Sequence, residues 1–231
     1  RTAIPFADMG SYIKNATVAI EDSAFYQHKG IRITAILRAM IANVTSGSFS
    51  QGGSTITQQL IKNSLLTKDK TITRKFKEWI LALKMERTLT KEEILSIYLN
   101  ESPYGGNLYG IEEASQSFFG KPAKDLTLSE AAYLAGIPQA PTYYSPYGKN
   151  KQKLDERKNV VLARMYELKF ITRDELEKAR NESVVFLPRE AGGIKAPHFV
   201  FFIQDYLADK YGEDVIAHGG LKVTTTLDYE L

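Results

Sequence analysis

EDSAFYQHKG, Glu21 to Gly30, follows the apolar helical run Ile13–Ile20 and ends at a turn glycine. An acidic pair at the end of an apolar helix has two readings. Both carboxylates can be solvated near the turn. Alternatively, one is held beside Phe25 and His28, where apolar surroundings raise its pKa toward that of a useful general base. A lone histidine such as His28 is more often a structural hydrogen-bonding residue than a catalyst.

Outward from this stretch the pattern is mostly helical. Helical periods run over Ile33–Thr45, Ser54–Leu65, Ile72–Thr88, Lys91–Asn100, Leu128–Ile137, Leu154–Leu168, Arg173–Asn181 and Pro197–Tyr211. Thr90 with Glu93, Thr127 with Glu130 and Thr172 with Glu175 have capping-box spacing, which predicts helix starts at each. Breakers lie between: Gly52-Gly53, Gly105-Gly106, Gly120-Lys121-Pro122 and Pro138 through Pro146. Thr45–Gly53 is small and polar and reads as a loop. Leu221–Leu227 alternates with β-branched residues and reads as one strand in need of a partner.

The chain has 231 residues, enough to fold on a hydrophobic core without staples. With no cysteine, disulfide scaffolds, zinc fingers and cysteine nucleophiles are excluded. The net charge of +3 is too weak to suggest nucleic acid as a partner. No apolar run approaches the roughly 20 residues that span a bilayer. The first residue is Arg1 rather than methionine, so a mature product or an excised fragment is expected.

A second cluster is GGSTITQQLIKN, Gly52 to Asn63. Ser54 and Thr55 suit a helix cap, and such a start offers amides and a positive dipole end to an anion. Gln58, Gln59 and Lys62 lie within two turns. A plain capped surface helix is the competing reading. A third cluster, Thr73 to Leu89, carries Arg74, Lys75, Glu78 and Glu86. Its stripe of Ile72, Phe76, Trp79, Ile80 and Leu83 is expected to be core. The cations form either an exposed ion-pair face or a phosphate-binding group. Lys62, Lys68, Lys70, Arg74, Lys75 and Lys77 make this the densest basic region of the chain, which favours an anionic ligand. Paired carboxylates beside phosphate binders suit glycosyl transfer from a sugar diphosphate.

These segments together resemble the peptidoglycan glycosyltransferase domain (glycosyltransferase family 51) of class A penicillin-binding proteins. EDSAFYQHKG, GGSTITQQLIKN, RKFKEWILALKME, KEEILSIYLN and AAYLAGIPQAPTYYSP resemble that family's five ordered motifs. The resemblance runs from about Ile4 to Leu227. It implies a mainly α-helical fold with a lysozyme-like large lobe, a small membrane-associated jaw lobe at about 33–70, and a short terminal strand. It implies one domain over 1–231, with 219–231 beginning a linker to a transpeptidase domain. Ser11-Tyr12-Ile13-Lys14 has SxxK spacing, but no KTG follows, so that match is chance.

The resemblance implies polymerisation of lipid II into β-1,4-linked glycan strands with inversion, releasing undecaprenyl pyrophosphate. Glu21 and Glu78 would be catalytic, with Glu21 the base. Glu78 would either orient the cations or bind a divalent ion. Asp22, Phe25, His28, Ser54, Thr55, Gln58, Gln59, Lys62, Asn63, Arg74, Lys75 and Glu86 would bind substrate. No tightly bound cofactor or permanent metal is expected, although a divalent cation (Mg or Mn) at the substrate pyrophosphate is compatible. Implied partners are lipid II, the growing lipid-linked glycan, the membrane surface and phosphoglycolipid inhibitors of the moenomycin type. The implied location is the outer, periplasmic face of the bacterial cytoplasmic membrane, with the anchor outside this chain. Two alternatives stay open: a lysozyme-like hydrolase or lytic transglycosylase, and a non-catalytic lipid II or membrane-binding module.

Overall fold

Helix α1 (Ser11–Glu21) turns Ile13, Ala16, Thr17, Val18 and Ala19 inward, and this apolar stripe seats it against the core. The computed structural model describes residues 2–34, 53–64, 71–106, 108–188, 196–212 and 221–228. The chain divides into two units, Arg1–Pro188 and Arg189–Leu231.

In the first unit, α1 is followed by α2 (Ile56–Ser64), α3 (Ile72–Thr88) and α4 (Lys91–Glu101). A small antiparallel hairpin pairs β1 (Pro103–Gly105) with β2 (Leu108–Tyr109), placing Pro103 opposite Tyr109. Then come α5 (Ile111–Phe119), α6 (Leu128–Gly136), α7 (Lys151–Glu167) and α8 (Arg173–Asn181). Every residue of α6 is buried, as its run of alanines, leucines and tyrosine requires. α6 packs on α1 and α7, while α2 packs on α3 and α4. The base of α1 therefore lies where α2 and α7 can both reach it.

The three capping boxes form as their spacing requires, starting α4, α6 and α8. Helix α5 was not signalled by periodicity. It is nine residues long and is bounded by Gly110 and Gly120, both at positive φ.

Helix α3 corrects an expectation. Phe76 (56%), Ile80 (59%) and Leu83 (40%) are exposed, whereas Glu78 (1%) and Ala82 (0%) are buried. The polar face is turned inward because it has partners there: Thr57, Ser54 and Lys91 engage carboxylates or the lysine of this helix.

The second unit contains α9 (Pro197–Tyr211). Residues 221–228 form no strand and are exposed, which corrects the expected terminal strand. Alternating β-branched residues make a strand only against a hydrogen-bonding neighbour, and among the described residues none pairs with this segment. The Ile33–Thr45 helix beyond residue 34, most of the Thr45–Gly53 loop with Phe49, and most of the jaw lobe lie outside the described residues.

Candidate active site

Glu21 is the last residue of α1, at the negative end of the helix dipole. Gln59 Nε2 donates to its Oε2 at 2.8 Å. Its Oε1 is buried and has no hydrogen-bond partner among the described residues. Burial pushes the Glu21 carboxyl above the usual carboxylate value. The Gln59 bond and the charges of Arg157 and Lys62 pull the other way, and Asp22 adds to the rise. The result is a carboxylate with a raised pKa and one free oxygen, which are the properties of a general base.

Asp22, next in the chain, is buried and fully engaged. Its Oδ2 accepts from His28 Nε2 at 2.8 Å and from the amide of Ile56 at 3.2 Å. Arg32 reaches its Oδ1 at 3.3 Å. The amide of Gly30 donates to His28 Nδ1 at 3.0 Å, so that nitrogen is unprotonated and Nε2 carries the hydrogen. His28 is thus a neutral strut of the turn. Gly30 has φ +94°, and a Cβ there would sit 2.9 Å from Ala82 O on α3. Only glycine allows that close approach.

Helix α2 begins in a way that changes the role expected of its start. Thr55 caps it: Gln58 N donates to Thr55 Oγ1 at 3.2 Å, and Thr55 N donates to Gln58 Oε1 at 2.8 Å. This is a capping box with glutamine in the third position. The first amide of the helix, that of Ile56, is held by Asp22. The first amide at this helix start is therefore already engaged by the protein's own carboxylate. Gln58 is buried in the cap, and its neighbour Gln59 turns to Glu21.

On α3, Lys75 forms an ion pair with the buried Glu78 and donates to Ser54 Oγ at 3.1 Å. Glu78 Oε2 has no hydrogen-bond partner among the described residues. Glu86 accepts from Thr57 Oγ1 at 2.5 Å and from Lys91 Nζ at 2.6 Å, tying α2, α3 and α4 together. Lys91 also lies over the buried ring of Phe25, 4.4 Å from its centroid. Glu86 and Phe25 hold the wall in place.

Glu21 opens on a cavity of about 800 Å³, within the range of small-molecule sites. Ser54, Thr55, Gln59, Lys62 and Asn63 line it from α2 and the residues before it. Arg157 and Arg164 line it from α7, and Gln139 from the turn after α6. Asp22 contributes to the wall, whereas Phe25, His28, Gln58, Arg74, Lys75, Glu78 and Glu86 do not line it. Lys75 meets the cavity wall only through Ser54. Cations thus face the base from two sides.

Residues 1–166 match the family described as Transglycosylase. The chain belongs to the transglycosylase family. It is a peptidoglycan glycosyltransferase domain, similar to that of penicillin-binding proteins. It is similar to penicillin-binding protein 1A of Aquifex aeolicus, with 43% identity over 95% of this chain and 30% of that protein. It is 40% identical to penicillin-binding protein 1A of Vibrio cholerae, over 100% of this chain and 28% of that one. The transglycosylase domain therefore spans less than a third of these relatives' length. The crystal structure of penicillin-binding protein 1A from Haemophilus influenzae is similar, with a TM-score of 0.55, 25% identity, and coverage of 94% of this chain and 22% of that one.

Within this transglycosylase domain, sequence reasoning missed Arg157, Arg164, Arg32 and Tyr98. Arg157, Val160 and Arg164 recur at i, i+3 and i+7 on a helix that periodicity had located, so a cationic stripe was visible there. Tyr98 gave no signal, because a buried tyrosine reads as core. Among the described residues no cluster of three or more His, Cys, Asp or Glu is placed to hold a metal ion. Among them, no helix is long and apolar enough to cross a membrane.

Proposed function

We propose that this chain polymerises lipid II into β-1,4-linked glycan strands. The observation that carries the reading is Glu21: a base with a raised pKa and a free Oε1, opening on a cavity with cationic walls. Glu21 Oε1 takes the proton of the acceptor's N-acetylglucosamine 4-hydroxyl. The oxygen attacks the anomeric carbon of the donor's N-acetylmuramic acid as the bond to the pyrophosphate breaks. The configuration inverts, and undecaprenyl pyrophosphate carries away the electron pair. Lys62 lies in the wall to meet that charge, and Lys75 stands behind Ser54 with Arg74 beside it in the chain. A neutral glycan has no need of such walls, which favours transfer over hydrolysis.

Glu78 Oε2 is an unpartnered carboxylate oxygen among the described residues, but Glu78 does not line the cavity that a divalent ion on the substrate phosphates would enter. Lys75 already neutralises that side chain, so the residues suit a transient ion better than a resident one. Phosphoglycolipids of the moenomycin type would compete for the same cations. The full protein is proposed to work at the outer face of the cytoplasmic membrane, anchored outside this chain and joined to a transpeptidase domain. The membrane contact implied for the jaw lobe at about 33–70 is tested by liposome flotation of Met40→Gln with Phe49→Ser.

Incubation with lipid II and, separately, with preformed glycan tests the reaction. Consumption of lipid II alone, lost in Glu21→Gln, is expected. Cleavage of preformed glycan would overturn the reading.

A further inference from the structure

Glu21 has two oxygens, and only one of them is held. Gln59 Nε2 donates to Oε2 at 2.8 Å. The other end of the same amide, Gln59 Oε1, accepts from the Tyr98 hydroxyl at 3.3 Å. Tyr98 is buried on α4, within the core that packs on α2. A side-chain amide can flip, and a flipped Gln59 would set its carbonyl against the Glu21 carboxylate. The ionised carboxylate, which can only accept, disfavours that flip, and the Tyr98 hydroxyl adds a donor to the orientation that is kept.

We infer that Tyr98 is a positioning residue: its hydroxyl locks the Gln59 amide so that Nε2 donates to Glu21 Oε2, leaving Oε1 as the reacting oxygen. Burial holds the Tyr98 hydroxyl well above the usual tyrosine pKa, so it keeps the proton it donates. Other groups act on Glu21 as well. Asp22 follows it in the chain, Lys62 faces it from α2, Tyr104 from β1 and Arg157 from α7. These act through charge, whereas Gln59 alone among the described residues is hydrogen-bonded to it. Losing the lock should therefore change Glu21 without changing the cations that meet the substrate.

The inference rests on Glu21 as the base, and the experiment separates the two. Glu21 is titrated by NMR in the 231-residue chain labelled with ¹³Cδ-glutamate, with its signal assigned by Glu21→Gln. Tyr98→Phe should raise the Glu21 midpoint by about one pH unit, the scale of a weakened bond to a charged acceptor. With lipid II, kcat should fall about tenfold and its acid limb should move up by the same amount, while KM stays within about twofold. Gln59→Leu should raise the midpoint at least as far, and adding Tyr98→Phe to it should add nothing. An unchanged midpoint in Tyr98→Phe, or additive shifts in the double variant, overturns the lock. A shifted midpoint with unchanged kcat and pH profile supports the lock and removes Glu21 as the base. The unsubstituted chain gives a test that needs no variant. Its Gln59 Nε2 protons should exchange slowly while Glu21 is ionised and faster once it is protonated. Fast exchange at every pH overturns the proposal.

Discussion

His28 Nε2 lies 2.8 Å from Asp22 Oδ2, and the same oxygen accepts the first amide of α2. One carboxylate thus joins the turn after α1 to the helix that carries Gln59 and Lys62. Adjacent acids in the chain have divided the work: Asp22 builds the wall, and Glu21 faces the cavity.

Asp22→Ala should therefore destabilise. It would strip partners from the Ile56 amide, His28 and Arg32 in a buried setting, a loss of about 3 kcal/mol or more. For a chain of this size the melting temperature should drop by on the order of 10 °C. Calorimetry checks this. A melting temperature equal to that of the unsubstituted chain would mean that the carboxylate is not a structural tie.

Glu21→Gln should behave in the opposite way, losing roughly 10²–10⁴-fold in turnover while melting no earlier. The sign follows from the raised carboxyl. Between the ordinary carboxylate value and the raised one, the folded chain holds more protons than the unfolded chain. Stability from this group is therefore lost as pH rises through that window. Melting curves from pH 4 upward should fall away in the unsubstituted chain relative to Glu21→Gln. Parallel curves would contradict a buried, perturbed Glu21.

Lys75 makes the ion pair that one reading of its cluster predicts, and the phosphate-binding role is the proposed one. Its ion pair with the buried Glu78 means that Lys75→Ala leaves an unpaired carboxylate behind. Lys75 is itself partly exposed, so the cost is about 1–2 kcal/mol rather than that of a fully buried pair. Lys75→Met with Glu78→Gln should recover the melting temperature. It should not recover turnover, which should stay down ~10²-fold if the ammonium meets leaving-group charge. Recovery of both would leave Lys75 with a structural role alone.

Arg157 should tune the base from across the cavity. Its positive charge helps to keep Glu21 ionised. Its stem lies so close to Gly136 that a Cβ there would come within 2.9 Å of Arg157 Cγ. In Arg157→Ala the acid limb of the kcat profile should move to higher pH. In Arg157→Lys, which keeps the charge, it should move less. Equal shifts in both variants would point to lost packing instead of lost charge.

Local chemistry was legible in the sequence. Thr90 with Glu93, Thr127 with Glu130 and Thr172 with Glu175 cap their helices through bonds spanning three residues, which spacing alone specifies. The acidic pair Glu21-Asp22 at the end of an apolar helix was legible too, but not that Asp22 is the one held by His28 while Glu21 bonds to Gln59. Long-range bonds chose among equivalents that spacing could not rank. Gln59 rather than Gln58 meets Glu21, a residue 38 positions away, because Gln58 is taken by the Thr55 cap. Asp22 takes the first amide of α2, that of Ile56, 34 positions on. The inward face of α3 is polar because Ser54, Thr57 and Lys91 meet it there, which overrides its apolar stripe. Periodicity reports which residues share a face. Which face is buried, and which of two like side chains finds a partner, depends on the segments that fold against it, and only the tertiary structure decided that.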